Sequence, residues 1–378
     1  MIQLSHIMAN EVDISERWLL DTCPKAVEAL LVDHTTGQNI YWATDSYASL
    51  GKGFSFFDPI LKESLIVINE AGEETEVIRP RVCKSLDEQA RRVKDKAEVF
   101  TPAWICNAQN NLVDDAWFGV TETFNREFIN ENGEHDWTPT GQFIESFSKP
   151  KSHKMRSWIQ YVKDPRLEIT CGEAPYLMSR YDAVSGKAIP TNRRIGMFDR
   201  KMQVINAFVD EPSEWMKRAT DAIKATYGFE WQGDSLLLAR EAMLLTVLDY
   251  FYDRFPEERP DADSKYLING VRIKQQPFAR FINNAAYFIS WNLWQMDGLK
   301  YVLPSTSDRV FTHDPGDLFA PDPDSVRENA SKILEAIRSG KPSPDAIGIP
   351  AVISDWGHTQ QEPRKIFFAS LLNQKHQK

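Results

Sequence analysis

Apolar positions recur at helical spacing through SERWLLDTCPKAVEALLVD, with Trp18, Leu19, Val27, Leu30 and Leu31 as apolar anchors. NIYWATDSY (39–47) and ESLIVINE (63–70) alternate or run apolar and predict strands. From residue 161 the pattern becomes strand, glycine, helix, strand, acid, helix. LEITCGEAPYL (167–177) predicts a strand ending at Cys171-Gly172 and a helix opened by Pro175. YGFEWQGDSLLLAREAMLL (227–245) predicts a short strand ending in Glu230 and a long helix, and FISWNLWQMDGL (288–299) a buried strand ending at Asp297-Gly298. Parallel strands need crossover helices, so this order predicts an α/β fold with a doubly wound parallel sheet. Residues 305–350 carry Pro315, Pro321, Pro323, Pro342 and Pro344 among many aspartates, with one helical piece, SVRENASKILEAIRSG. The expected organisation is an N-terminal α/β extension (1–95), a central sheet domain (96–304) and a Pro/Asp-rich C-terminal arm (305–378) that is a candidate for binding a partner.

Composition narrows the class. The 378 residues are 42% hydrophobic and 26% charged, enough apolar content to bury a core. No apolar run approaches the roughly 20 residues that cross a bilayer, and MIQLSHIMANEVDISERW lacks a signal-peptide apolar region. No membrane association and a cytoplasmic location are expected. Cys23, Cys83, Cys106 and Cys171 stand far apart without a CxxC pair, which argues against a disulfide framework and a structural zinc. GxxxxGK[ST], HExxH and GxSxG are absent and the seven histidines are scattered, so no metal centre is expected. Net charge is −10, from 54 acidic and 44 basic residues. Phosphate neutralisation supplies most DNA affinity, so the main grip on nucleic acid is not expected in this chain alone. Two basic runs, Arg79–Lys96 and KPKSHKMR (149–156), fit either a solvated surface or a phosphate-facing patch.

The strand ends carry the candidate chemistry. A glycine at a strand-to-helix turn, as at Gly172, lets a ligand approach the backbone closely, and a following helix N-terminus favours an anionic group. Glu230 at the next strand end can accept two hydrogen bonds from ribose hydroxyls, and Trp231 can lie against an adenine face. Asp297 at the third strand end can accept from an exocyclic amine. Each has an ordinary structural counterpart: a glycine turn, a surface acid beside a core tryptophan, a capping aspartate. Their order along the chain is what singles them out.

That order resembles the amino-methyltransferase family that methylates adenine N6 in DNA, in the subgroup of restriction-modification methylase subunits. AEVFTPAWICNAQNN looks like the family's N-terminal cofactor motif, (E/Q)-(F/Y/V)-(F/Y)-T-P, and LEITCGEAPYL is similar to D-P-A-C-G-S-G-x-F-L. YGFEWQGDSLLLARE resembles the ribose-acid motif and NLWQMDGL the adenine-binding strand end. The resemblance covers about residues 90–300. It implies a Rossmann-like, S-adenosylmethionine-dependent methyltransferase sheet. Phe100, Thr101 and Pro102 would then border the methionine end of the cofactor. Glu168, Thr170, Cys171, Gly172 and Ala174 would form the cofactor loop, and Glu230, Trp231 and Asp297 would hold the nucleoside.

Three departures shape the expectation. Ala174 replaces the loop's second glycine, and Glu168-Ile169-Thr170 replaces the Asp-Pro opening. Gly172 and Glu230 are 58 residues apart, against about 20 in compact dinucleotide folds. The intervening IPTNRRIGMFDRKMQVIN is therefore expected at the sheet edge or the DNA side. The family's catalytic Asn/Asp-Pro-Pro-Tyr/Phe is missing, and the chain has no Pro-Pro dipeptide. HDPGD (313–317) lacks the second proline and the aromatic; PAVISDWG (350–357) offers Asp355 and Trp356 after a strand as weak catalytic candidates. The expectation is a cofactor-binding subunit of a split DNA adenine-N6 methyltransferase. A partner subunit would carry the Asn-Pro-Pro-Tyr motif and most DNA contacts. The alternative is a non-catalytic methyltransferase-like scaffold or regulatory subunit.

Overall fold

The computed structural model describes residues 16–69, 71–84, 101–148, 156–259, 266–268, 271–273, 276–304, 349–357 and 364–371. They form a mixed helix-and-strand protein with several small sheets. The first helical stripe is split into α1 (Glu16–Thr22) and α2 (Pro24–Leu31). Pro24 explains the break: it suits the first turn of α2 but would remove a hydrogen bond inside a continuous helix. NIYWATDSY stays extended but makes isolated bridges, Val32 with Asn39 and Tyr41 with Pro59. Its backbone is satisfied elsewhere, since the Gln295 side-chain amide pairs with both the N–H and the C=O of Tyr41, each at 2.9 Å.

Two hairpins follow, β1 (Ile66–Ile68) with β2 (Glu74–Glu76), and β3 (Asn125–Ile129) with β4 (His135–Pro139). Helix α3 (Ala103–Phe118) lies between the hairpins in sequence, and α4 (Gln142–Ser148) and α5 (Trp158–Val162) come after them. The central element is a parallel sheet of β5 (Arg166–Glu168), β6 (Thr226–Glu230) and, later in the chain, β9 (Leu293–Gln295), in the order β5-β6-β9. Leu167 stands opposite Tyr227, and Phe229 opposite Trp294. All three carboxyl ends therefore share one edge.

Between β5 and β6 run α6 (Met197–Phe208) and α7 (Pro212–Lys224). The inserted segment is thus not peripheral. Phe198, Met202, Val204 and Ile205 are buried in the main core, because their spacing gives α6 an apolar stripe that packs on α7 and on α8 (Gly233–Arg254). Lys201 is buried beside them. Its ammonium donates to Asp164 O (2.7 Å), Ala225 O (2.8 Å) and Thr226 Oγ1 (3.3 Å), fixing the start of β6.

The hairpin β7 (Tyr266–Ile268) and β8 (Val271–Ile273) precedes α9 (Gln276–Asn292). FISWN, expected as strand, forms the last turn of α9, and extended backbone starts only at Leu293. Ala285, Ala286 and Ile289 are fully buried at helical spacing, and that stripe decides the segment. No helix opens at Pro175 either. The Glu168 carboxylate accepts from the Tyr176 and Leu177 N–H groups, while Tyr176 O and Leu177 O accept from Met197 and Phe198. A continuous helix from Pro175 would need the Tyr176 and Leu177 carbonyls for its own bonds and would have to surrender those from Met197 and Phe198.

One core runs across the boundary expected at residue 95, joining Leu19, Val27 and Leu30 to Leu236, Met243 and Ile282. Arg240, buried in α8, ties the two parts together. Its guanidinium donates to the carbonyls of Leu30, Val32, Ser290 and Leu293. Strand β10 (Val352–Asp355) pairs with β11 (Arg364–Phe367) and packs beside α9. Among the described residues no helix is long and apolar enough to cross a membrane.

Candidate functional site

A cavity of about 960 Å³ opens at the carboxyl edge of the β5-β6-β9 sheet, near the upper end of the range for small-molecule sites. Thr101, Glu168, Thr170, Cys171, Gly172, Glu230 and Trp231, all chosen from sequence, line it. The backbone explains how they meet. Parallel pairing places Glu168 opposite Gly228, so the turn after β5 faces the end of β6. The Cys171 N–H donates to Phe229 O at 2.9 Å, and the Gly172 N–H to Glu230 Oε2 at 2.9 Å.

The turn is held in an uncommon conformation. Thr170, Gly172 and Ala174 have φ of +45°, +55° and +60°. Glycine adopts this region freely, whereas the side chains of Thr170 and Ala174 resist it. Space for a ligand remains at Gly172, because a Cβ there would meet no atom within 4 Å. Ala174 itself is fully buried behind the turn and does not line the cavity.

Two carboxyl groups face one cavity. Burial pushes the Glu230 carboxyl above its ordinary pKa, against the pull of the Gly172 and Gln232 N–H groups it accepts from. Burial raises Glu168 further, with the Glu230 charge adding to the rise and the Tyr176 and Leu177 N–H groups opposing it. Burial and these acids also keep the Cys171 thiol protonated, so it is no nucleophile. Such a site offers acceptor oxygens to hydroxyl or amine donors.

The N-terminal segment closes the floor beside Glu230. Gly233 N–H donates to Trp42 O at 3.0 Å, and a Cβ on Gly233 would sit 2.0 Å from Tyr41 O. Only glycine permits that approach. Trp231 continues the wall, with its ring 6.1 Å from that of Phe56.

The other wall comes from α3, whose Gln109, Asn110 and Val113 line the cavity without having been chosen from sequence. Asn110 donates to Tyr176 O and Ile195 O, each at 3.0 Å. Arg200, fully buried, binds Asp114 Oδ2 (2.6 Å), Asn111 Oδ1 (2.7 Å) and Asn107 Oδ1 (3.0 Å). The signal was legible as amides and an acid at helical spacing: Asn107, Asn110, Asn111 and Asp114 share one face of AWICNAQNNLVDDAWF. Pro102 precedes this helix as its N-cap and Phe100 lies outside the described residues. Most of Arg79–Lys96, all of KPKSHKMR except Arg156, and HDPGD also lie outside them.

Besides Pro102 and Ala174, which do not line the cavity, three candidates are held elsewhere. The Asp297 carboxylate caps a turn, accepting from the N–H groups of Leu299 (2.7 Å) and Lys300 (3.0 Å). Asp355 and Trp356 sit at the opposite edge of the sheet. Ala351 bonds Tyr301 beyond the end of β9, and Trp356 Nε1 donates to Asn292 Oδ1 just before its start. β10 therefore runs antiparallel to β9 and carries Asp355 and Trp356 to the amino edge. There the Trp356 ring packs edge-on against Phe288 beneath the Lys224 ammonium, which leaves no open face for a base.

No protein-family model, curated protein or solved structure matches the chain.

Proposed function

We propose that this chain is the cofactor-binding subunit of a split DNA adenine-N6 methyltransferase, with S-adenosylmethionine held in the cavity at the carboxyl edge of a Rossmann-like sheet. The observation that carries the reading is the convergence of the Gly172 turn, Glu230 and Trp231 in one cavity with Thr101 at its rim. The residues suit such a cofactor chemically. Glu230 supplies an acceptor for ribose hydroxyls and Trp231 an aromatic wall for adenine.

When bound, the cofactor supplies an activated methyl group. The chain's own part is to bind and orient. Glu230 fixes the ribose, the backbone of the Gly172 turn approaches the ligand without a side chain between, and the α3 wall excludes water on one side. The grip on an extruded adenine is assigned to a partner subunit carrying the Asn-Pro-Pro-Tyr motif and most of the contacts to DNA. Neither Asp355 nor Trp356 is retained in a catalytic role.

The direct test is calorimetric titration of the purified chain with S-adenosylmethionine. Micromolar binding supports the reading, and no binding up to millimolar concentration overturns it. One observation favours the alternative of a non-catalytic scaffold: Glu230 already accepts two backbone N–H groups, and Thr170 and Ala174 hold positive φ without being glycine. The same titration separates the two.

A further inference from the structure

β5 is an edge strand with one uncovered face. In the sheet order β5-β6-β9 nothing among the described residues pairs with its outer side. The Arg166 N–H donates to Ala225 O. Alternation along the strand therefore turns the N–H and C=O of Leu167, and the N–H of Ile169, away from β6. Side chains alternate as well. Arg166 and Glu168 are buried, whereas Leu167 is 45% and Ile169 66% exposed. Parallel strands are ordinarily covered on both faces and read as apolar for that reason, and natural proteins seldom leave an apolar edge open. Val113, 41% exposed on α3, lines the same cavity as Leu167 and Ile169. An unpaired strand edge, an apolar face and one side of the cavity are thus contiguous.

We infer that the outer edge of β5 is a docking site for an extended segment of a second, basic polypeptide chain. That segment adds a fourth strand parallel to β5 and roofs the cavity over Leu167, Ile169 and Val113. The inference deepens the proposed function, on which it rests for the partner's existence. Charge selects the occupant. The chain carries a net −10, so two copies repel while a basic partner is attracted and steered. Residues 305–348 contain five prolines and 85–100 eight charged residues among sixteen, a composition that does not suit an apolar edge.

The test places a photo-activatable benzoylphenylalanine at position 169 of the full chain in its cell of origin, with the same amino acid at exposed position 217 as control. Cross-linked peptides are then sequenced. The expected result is a cross-link from position 169 to a segment of a different, basic chain. That chain, once purified, should slow hydrogen exchange at the Leu167 and Ile169 amides. Ile169→Lys with Leu167→Lys should lower recovery of the complex at least about tenfold, while the melting curve reports that the variant is folded. A cross-link to residues 1–15 or 305–348 of the same chain, a cross-link to a second copy, or no cross-link above the control overturns the docking site. Titration of the isolated wild-type chain with S-adenosylmethionine keeps the two readings separate. Binding without a cross-link sinks the docking site alone, and a cross-link without binding sinks the cofactor reading alone.

Discussion

The backbone N–H of Gly172 donates to Glu230 Oε2 over 2.9 Å, closing the turn after one strand onto the acid that ends its neighbour. A ribose bound here would share that carboxylate. Glu230→Ala should weaken S-adenosylmethionine binding by about 1–3 kcal/mol, roughly 5- to 150-fold in Kd. Calorimetry on the folded variant checks it, and an unchanged Kd would remove Glu230 from the ribose.

The turn itself makes a second prediction. Gly172 has φ +55° with open space around its Cα, so a side chain there meets conformational strain first and the ligand second. Gly172→Val should cost about 1–2 kcal/mol of stability, because a β-branched residue resists the left-handed region. It should also abolish cofactor binding. Gly172→Asn, which tolerates that region, should recover most of the stability and little of the binding. Denaturant titration and calorimetry read the two effects separately.

Proton linkage supplies a third. The pKa of Glu230 is raised by burial, and in the proposed complex its carboxylate would be the form that accepts from both ribose hydroxyls. Binding should therefore be weaker at mildly acidic pH and strengthen as pH rises through the raised pKa. Proton release on binding at mildly acidic pH should appear as a dependence of the apparent enthalpy on the buffer's ionisation heat. In Glu230→Gln the part of that dependence owed to Glu230 should vanish. Affinity that stays equal from pH 4.5, the ordinary carboxyl pKa, up to pH 8 would contradict the assignment.

Local pattern made the parallel strands and the acid of β6 legible, because strand ends and a following helix show in a window of about twenty residues. Long-range satisfaction of polar groups did not show. Pro175 opens no helix because Met197 and Phe198 claim the Tyr176 and Leu177 carbonyls. Asp297 and Trp356 were assigned by their place at strand ends, yet a turn and Asn292 occupy them. Direction along the sheet decided the second case, since β10 runs antiparallel to β9 and delivers its last residues to the far edge. The α3 wall was visible as a polar stripe, but its meaning depended on the buried Arg200 opposite.

A fourth prediction concerns two acids remote from the cavity. Glu16 and Glu241 are fully buried, and among the described residues no side chain hydrogen-bonds their carboxyl oxygens. Burial lifts the Glu16 pKa from 4.5 to about 8, with Glu76 adding to the rise and Lys84 and Arg79 opposing it. Burial raises Glu241 as well, with Glu16 and Glu76 adding to it. The folded protein then holds protons that the unfolded chain releases near pH 4.5. For Glu16, stability is fully present below that pH and is lost as pH rises toward about 8. Glu241→Gln mimics the neutral acid, so it should raise Tm at pH 8, and the gain should shrink toward pH 5. A Tm difference independent of pH would show that Glu241 is not held protonated.

The amino edge of the sheet yields the last. Trp356 is buried, donates to Asn292 Oδ1 at 2.7 Å and packs on Phe288, while Asn292 in turn donates to Ile223 O and Thr226 O. Trp356→Ala should therefore cost about 3–5 kcal/mol, in the range for removing a buried aromatic. Trp356→Phe should cost less, losing chiefly the hydrogen bond to Asn292. Asp355 is only partly buried and its carboxylate accepts from Gly357 N–H at 3.2 Å, so Asp355→Ala should shift stability by about 0.5 kcal/mol or less. In a reconstituted complex, Asp355→Ala should leave methyl transfer to DNA at the wild-type rate. If it instead abolished transfer while the protein stayed folded, catalysis would lie at the edge of the sheet opposite the cavity, and the assignment of the cofactor to that cavity would fall with it.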